Sequence, residues 1–303
     1  MKIKKIAIVG MGALGLMYGQ HIQEACGKEA LFFVMDEARH QRHKNDVYLI
    51  NGQQQAFTMV SSREATPVDL VIVATKYSGL TEALEEMTNL VGPKTAIISV
   101  LNGITSEELI AQRFGDKNLL HCVVLGMDAV REGTSLTFHH KGLVKVGKVK
   151  EEQQEALAAV VEFFDKIALP YVVEEDILQA LWAKLLLNVG INQTCMVYET
   201  SYGGALAKAE ARESMFAAMH EVIAVAQCEG VKLTEADFEA AVKVISGLTY
   251  EGLPSMRQDA LARRKSEVDL FAGTIIALGK KHGVPVPVNE HYYKIIKEIE
   301  AQY

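Results

Sequence analysis

The chain has 303 residues, 49% hydrophobic and 23% charged, with a formal net charge of −7. That length suits two domains, and the composition excludes a disordered chain. The negative balance argues against nucleic acid or an anionic membrane as the main partner. Cysteines 26, 122, 195 and 228 form no CxxC pair, which points to reduced thiols and a cytoplasmic location.

The chain opens with basic residues and a short apolar run, but glycines break the run before it resembles a secretory signal. No apolar stretch approaches the ~20 residues needed to span a bilayer. Ile3 to Val9 is rich in isoleucine and valine and predicts the first strand of a parallel sheet buried on both faces. Gly10-Met11-Gly12-Ala13-Leu14-Gly15 follows at once. Leu14 to Cys26 predicts a helix closed by Gly27, and Ala30 to Met35 a second strand, which completes a βαβ unit.

Further strands are expected at 48–50, 70–74, 96–100, 119–125, 136–139 and 143–147, with helices at 39–45, 79–90 and 106–114. This alternation predicts an α/β doubly wound sheet. A helix from Glu151 to Ile167 and a strand at 170–173 close a first domain over residues 1–174. Helical patterns then run through 176–192, 206–228, 235–247, 266–282 and 290–301 with no strand between them. They predict an all-helical second domain over residues 175–303.

Gly10, Gly12 and Gly15 make GxGxxG between a predicted strand and a predicted helix. The first glycine allows a tight turn, the second lets backbone approach a pyrophosphate, and the third lets helix and strand pack closely. The alternative is a glycine-rich connection without a ligand. Asp36 follows Gly15 by 21 residues, where a carboxylate accepts from a ribose 2′-hydroxyl and repels a 2′-phosphate, favouring NAD. Arg39 and Arg42, with His40 and His43, supply cations that would instead suit the 2′-phosphate of NADP or form a solvated helix face. Thr75-Lys76 and Leu101-Asn102-Gly103 follow two further strands, at the end where ligands of open α/β sheets bind.

In the second domain, Lys184, Asn188 and Asn192 recur every four residues along an otherwise apolar helix. Steps of four drift by only ~40°, so the three side chains form one polar stripe. A lysine withdrawn from water needs polar or anionic company, which suggests a substrate-facing wall; the alternative is a helix with one solvated edge. Ser255 stands beside Pro254 as a helix cap or an anion ligand. Glu267 lies among Arg263, Arg264 and Lys265, where a surface salt bridge is the competing reading. His40, His43, His139 and His140 form no metal-ligand spacing with a cysteine or carboxylate, so no metal is expected.

Together these residues resemble the ketopantoate reductase family (2-dehydropantoate 2-reductase), within the wider 6-phosphogluconate-dehydrogenase-like group. The resemblance rests on GxGALG at 10–15, Lys76, Asn102-Gly103, W-x-K-L-x-x-N-x-x-I-N at 182–192, and S-M-x-Q-D at 255–259 leading to Glu267. It implies a Rossmann domain, a helical domain, and NADPH reduction of 2-dehydropantoate to (R)-pantoate in pantothenate and coenzyme A biosynthesis. Carried over by position, Lys184 is the general acid, and Glu267 binds the substrate hydroxyl and orients the lysine. Asn102, Asn188, Asn192 and Ser255 bind substrate, with Asn102 also beside the nicotinamide. Gly10, Met11, Gly12, Ala13, Leu14, Gly15, Asp36, Arg39 and Lys76 hold the cofactor, NADP or, because of Asp36, NAD.

The chain departs from the family pattern at Tyr202-Gly203-Gly204 and Gly252, where polar substrate contacts are common, and at Asp36, where many members are basic. Two competing functions follow: reduction of another small 2-oxo acid, and cofactor sensing without turnover, which the retained Lys184 and Glu267 oppose. The long apolar helices of the second domain are compatible with a homodimer.

Overall fold

Ile6–Val9 is buried along its whole length, and its two faces serve two different cores. Ile6 and Ile8 join Leu16, Met17, Phe163 and Phe164 in one cluster, while Ala7 and Val9 join Leu80, Ala83 and Ile110 in another. This period-two division is what a strand covered by helices on both faces requires.

The computed structural model describes residues 2–303. The chain forms two compact units, one containing the chain up to Leu101 and Ser106–Ile177, the other Asn102–Thr105 and Leu178–Tyr303. In chain order the first unit holds β1 (Ile6–Val9), α1 (Ala13–Cys26), β2 (Leu31–Met35), α2 (Glu37–His43), β3 (Val47–Ile50), β4 (Gln53–Ala56), β5 (Met59–Ser61), β6 (Leu70–Val73), α3 (Leu80–Glu86), β7 (Ala96–Ser99), α4 (Ser106–Phe114), β8 (Leu119–Met127), β9 (Val130–Glu132), β10 (Ser135–Thr137), β11 (Lys141–Gly147), α5 (Gln154–Lys166) and β12 (Tyr171–Val173). The main sheet runs β12-β11-β8-β7-β6-β1-β2-β5. Its strands from β5 to β8 are all parallel, and β11 is antiparallel to β8. Because β6, β1 and β2 are parallel neighbours, the turns after them lie together at the carboxyl ends of the strands.

A second, four-stranded sheet runs β4-β3-β10-β9. Sequence periodicity missed β4, β5 and β9. Gln53–Ala56 and Val130–Glu132 are mostly exposed and carry no apolar alternation, and Met59–Ser61 is three residues long.

The second unit contains α6 (Ile177–Val197, beginning one residue earlier in the first unit), α7 (Tyr202–Ala207), α8 (Ala209–Cys228), α9 (Glu235–Ser246), α10 (Ser255–Leu261), α11 (Thr274–His282) and α12 (Pro287–Glu300). The helix expected over 206–228 is interrupted at Lys208, whose backbone is extended. That expected over 266–282 contains a π-helical turn at Asp269–Gly273, closed by Gly273 N–H donating to Val268 O at 2.9 Å. At Gly190 an added Cβ would lie 2.6 Å from Met219 Sδ, so glycine is what lets α8 approach α6.

Gln193, fully buried on α6, accepts from Ala272 N–H of the π turn at 3.0 Å and donates to Asn289 Oδ1 at 3.3 Å. Thr194 Oγ1 pairs with Tyr292 Oη at 2.9 Å. These buried polar groups answer one another across α6, the π turn and α12, as burial demands. Among the described residues no helix is long and apolar enough to cross a membrane.

Candidate functional site

The glycine turn after β1 is dictated by close backbone approach. Gly10 has φ +109°, and a Cβ there would lie 2.5 Å from Ala74 O; a Cβ on Gly15 would lie 2.1 Å from Gly10 O. Gly12 occupies the N-cap of α1 without a side-chain cap, so the first-turn amides around Ala13 and Leu14 meet no capping side chain. A 14-residue helix directs the positive end of its dipole there. These features fit a dinucleotide pyrophosphate.

Sequence reading missed one cation at this turn. Arg131 on β9 donates from Nη1 to the Met11 carbonyl, with its guanidinium 5.7 Å from the Tyr48 ring centre. Tyr48 Oη in turn reaches Met11 Sδ at 3.7 Å. A lone exposed arginine on an unrecognised strand gives no periodic signal.

Asp36 follows β2 and caps α2, its Oδ1 accepting from Arg39 N–H at 2.9 Å. The structure adds Glu86 from the end of α3, which accepts from Asp36 N–H at 3.0 Å and from Arg39 Nη1 at 3.4 Å. Burial pushes the Glu86 carboxyl above the usual carboxylate range, against the pull of the Asp36 N–H and Arg39. Arg42 is exposed on α2. Lys76 is exposed just after β6, and its carbonyl accepts from Gly79 N–H.

In the second unit, Lys184 Nζ donates to Asn102 Oδ1 at 2.8 Å, and Asn102 Nδ2 donates to Glu267 Oε2 at 2.8 Å. The ammonium can only donate and the carboxylate only accept, so the chemistry fixes which way the amide faces. Asn102 thus couples a cation on α6 to a carboxylate beside the π turn. Gly103, at φ +86°, completes the turn against Leu270, whose Cδ2 would lie 3.1 Å from an added Cβ.

Asn188 and Asn192 are buried, with Asn192 Nδ2 donating to Asn188 Oδ1 at 3.4 Å. Ser255 is the exposed first residue of α10. Pro254 is the N-cap and no side chain caps this helix, which corrects the expectation of a serine cap. Glu267, whose competing reading is a surface ion pair, accepts from Asn102. Of its three basic neighbours, Arg264 pairs instead with Asp259 at 2.8 Å.

A carboxylate that sequence reading overlooked supports the segment before Glu267. Glu300 Oε1 at the end of α12 accepts from both Ser266 N–H, at 2.7 Å, and Ser266 Oγ, at 2.6 Å. The departures at Tyr202 and Gly252 also explain each other. Tyr202 N–H donates to Gly252 O and Gly203 N–H to Tyr250 O, and each tyrosine ring lies where the opposite glycine would carry Cβ: 2.8 Å for Tyr202 over Gly252 and 2.0 Å for Tyr250 over Gly203.

Residues 6–151 match Ketopantoate reductase PanE/ApbA, and residues 176–300 match Ketopantoate reductase PanE/ApbA C terminal. The chain belongs to the ketopantoate reductase family. It is an oxidoreductase of this family of NAD(P)-dependent 2-oxo acid reductases. Among its relatives is a 2-dehydropantoate 2-reductase of Streptococcus pyogenes serotype M6, 24% identical over 298 residues that cover 97% of this chain and 96% of the relative.

Two solved structures share the fold of this family member. One is a D-mandelate dehydrogenase with NADH and anilino(oxo)acetate, at TM-score 0.87 and 23% identity, with 98% of each chain covered. The other is a dimeric ketopantoate reductase from Staphylococcus aureus, at TM-score 0.82 and 22% identity, covering 98% of this chain and 99% of that one.

Proposed function

We propose that the protein reduces 2-dehydropantoate to (R)-pantoate with a nicotinamide dinucleotide, supplying pantothenate and coenzyme A synthesis. The observation that supports this most is the hydrogen-bonded series Lys184, Asn102, Glu267 in a chain of this family. A bound nicotinamide supplies hydride; the turn from Gly10 to Gly15, with Met11, Ala13 and Leu14, holds its pyrophosphate, and Asp36, Arg39 and Lys76 are its further ligands.

Lys184 is the general acid. Negative charge grows on the carbonyl oxygen as it is reduced, so a fixed ammonium favours the transition state over the ground state before it delivers its proton. Asn102 restrains the ammonium through Oδ1, and Glu267 restrains Asn102 while accepting from a substrate hydroxyl. Asn188, Asn192 and Ser255 supply the remaining polar contacts to the substrate.

A second reading, reduction of a 2-oxo acid with an aromatic group, is favoured by Tyr202, which stands where the family is often polar and lays its ring against Gly252. The test is a panel of 2-oxo acids, including 2-dehydropantoate and the oxo acid of mandelate, assayed with NADH and with NADPH. Highest kcat/KM on 2-dehydropantoate supports the first reading, and highest on the aromatic acid replaces it. Cofactor binding without turnover on any member would make the protein a sensor. The protein is proposed to act as a homodimer, for which sedimentation is the direct measurement.

A further inference from the structure

Glu86 is a buried carboxylate that the proposed reduction does not use, and it stands where cofactor choice is made. We propose that Glu86 biases the protein toward NADH over NADPH, by engaging Arg39 and setting a second negative charge behind Asp36. This rests on reading the Gly10–Gly15 turn as a dinucleotide site.

Sequence alone leaves Asp36 and Arg39 opposed, one suited to a 2′-hydroxyl and the other to a 2′-phosphate. The geometry resolves the opposition. The Asp36 carboxylate is fixed at the N-cap of α2 by Arg39 N–H. Glu86, 5% exposed, holds both the Asp36 N–H and the Arg39 guanidinium. Glu86 thus engages the guanidinium while Asp36 sits on the backbone N–H of the same arginine, and Glu82, one turn earlier on α3, adds more negative potential at Glu86.

A 2′-phosphate carries roughly −1.5 to −2 and would enter a region already negative on balance. Were Arg39 to turn toward it, Glu86 would remain buried with the Asp36 N–H and no cation, a costly arrangement. The other nearby cations are poorly disposed to compensate. Arg42 is exposed and screened by solvent, and Arg63 acts on Glu37. A 2′-hydroxyl, by contrast, donates to a carboxylate and gains from the same negative field.

The experiment measures dissociation constants of NADH and NADPH for the full chain by isothermal titration calorimetry. Wild type should bind NADH at least about tenfold tighter than NADPH, a difference of ~1.4 kcal/mol. Glu86→Gln keeps the size of the side chain and its acceptor for Asp36 N–H while releasing Arg39. It should tighten NADPH by roughly three- to tenfold and leave NADH within about twofold. Arg39→Ala in that background should abolish the gain, and the wild-type preference for NADH is the arm that does not depend on the Gln variant folding.

Tighter NADPH binding by wild type, a Glu86→Gln, Arg39→Ala double variant that keeps the NADPH gain, or equal changes in both cofactors on Glu86→Gln each overturn the proposal. The last outcome would mark Glu86 as merely structural. Failure to bind either dinucleotide overturns the reading of the glycine turn, and the proposal with it. Binding of both with an unaltered ratio overturns the proposal alone.

Discussion

Replacing Asn102 by alanine tests the Lys184–Asn102–Glu267 series most directly. The substitution removes two hydrogen bonds of 2.8 Å, one from an ammonium and one to a carboxylate. A hydrogen bond to a charged group contributes ~1.5–3 kcal/mol. Lys184 and Glu267 make further interactions, so one such bond, rather than the sum of two, sets the expected loss of transition-state stabilisation. That corresponds to a fall of roughly 10- to 150-fold in kcat. The assay is steady-state oxidation of the preferred cofactor over a range of substrate concentrations, with cofactor affinity and Tm measured in parallel. Asn102→Asp is the sharper companion, because it replaces the amide donor by an oxygen facing Glu267 and should impair turnover at least as much. A kcat within threefold of wild type in the alanine variant, with the fold intact, would refute a catalytic role for the amide bridge.

Lys184→Ala should lower kcat by at least about 100-fold, the low end for a positioned general acid, with cofactor affinity nearly unchanged; a drop under tenfold would assign the proton to another donor. Glu300→Ala strips the acceptor from Ser266 N–H and Oγ. It should cost about 1–3 kcal/mol in denaturant unfolding and lower kcat through displacement of Glu267; unaltered stability and turnover would leave Glu300 without a positioning role. The buried Glu107 carboxyl is pushed up from 4.5 to about 7 by burial, against a hydrogen bond from Ser106. Its neutral form is favoured in the folded state, so its contribution is fully present below pH 4.5 and lost as pH rises through 7, by about 3 kcal/mol. Glu107→Gln should therefore gain stability relative to wild type between pH 5 and pH 8, and parallel unfolding curves at the two pH values would count against that assignment.

Much of the fold could be read from periodicity, because the strands buried on both faces and the long helices carry strong apolar patterns. The exposed strands β4 and β9 carry none, and β9 is the strand that brings Arg131 to the glycine turn. The lysine–asparagine stripe was visible because spacing of four on an apolar helix is conspicuous. Its partners were not visible by the same means: Asn102 and Glu267 are separated by 165 residues, and no periodicity joins a strand end to a helix start. Glu86 was hidden for a related reason. It ends a helix whose pattern explains it as an ordinary exposed carboxylate, and only the fold sets it beside Asp36 and Arg39. Gln193 and Thr194 show the converse, polar residues on the same helix as Lys184 that are satisfied within the core.

The π turn at Asp269–Gly273 changes the angular bookkeeping of the segment that carries Glu267. One residue more than an α-helical turn can hold rotates everything on one side by ~100° relative to the other. Glu267 and α11 accordingly point in directions that an uninterrupted helix over the same residues would forbid, and Gln193 occupies the amide that the extra residue sets loose. Removing a single residue from this turn would therefore swing the carboxylate about the helix axis without altering any side chain that touches substrate, separating the direction of Glu267 from its chemistry.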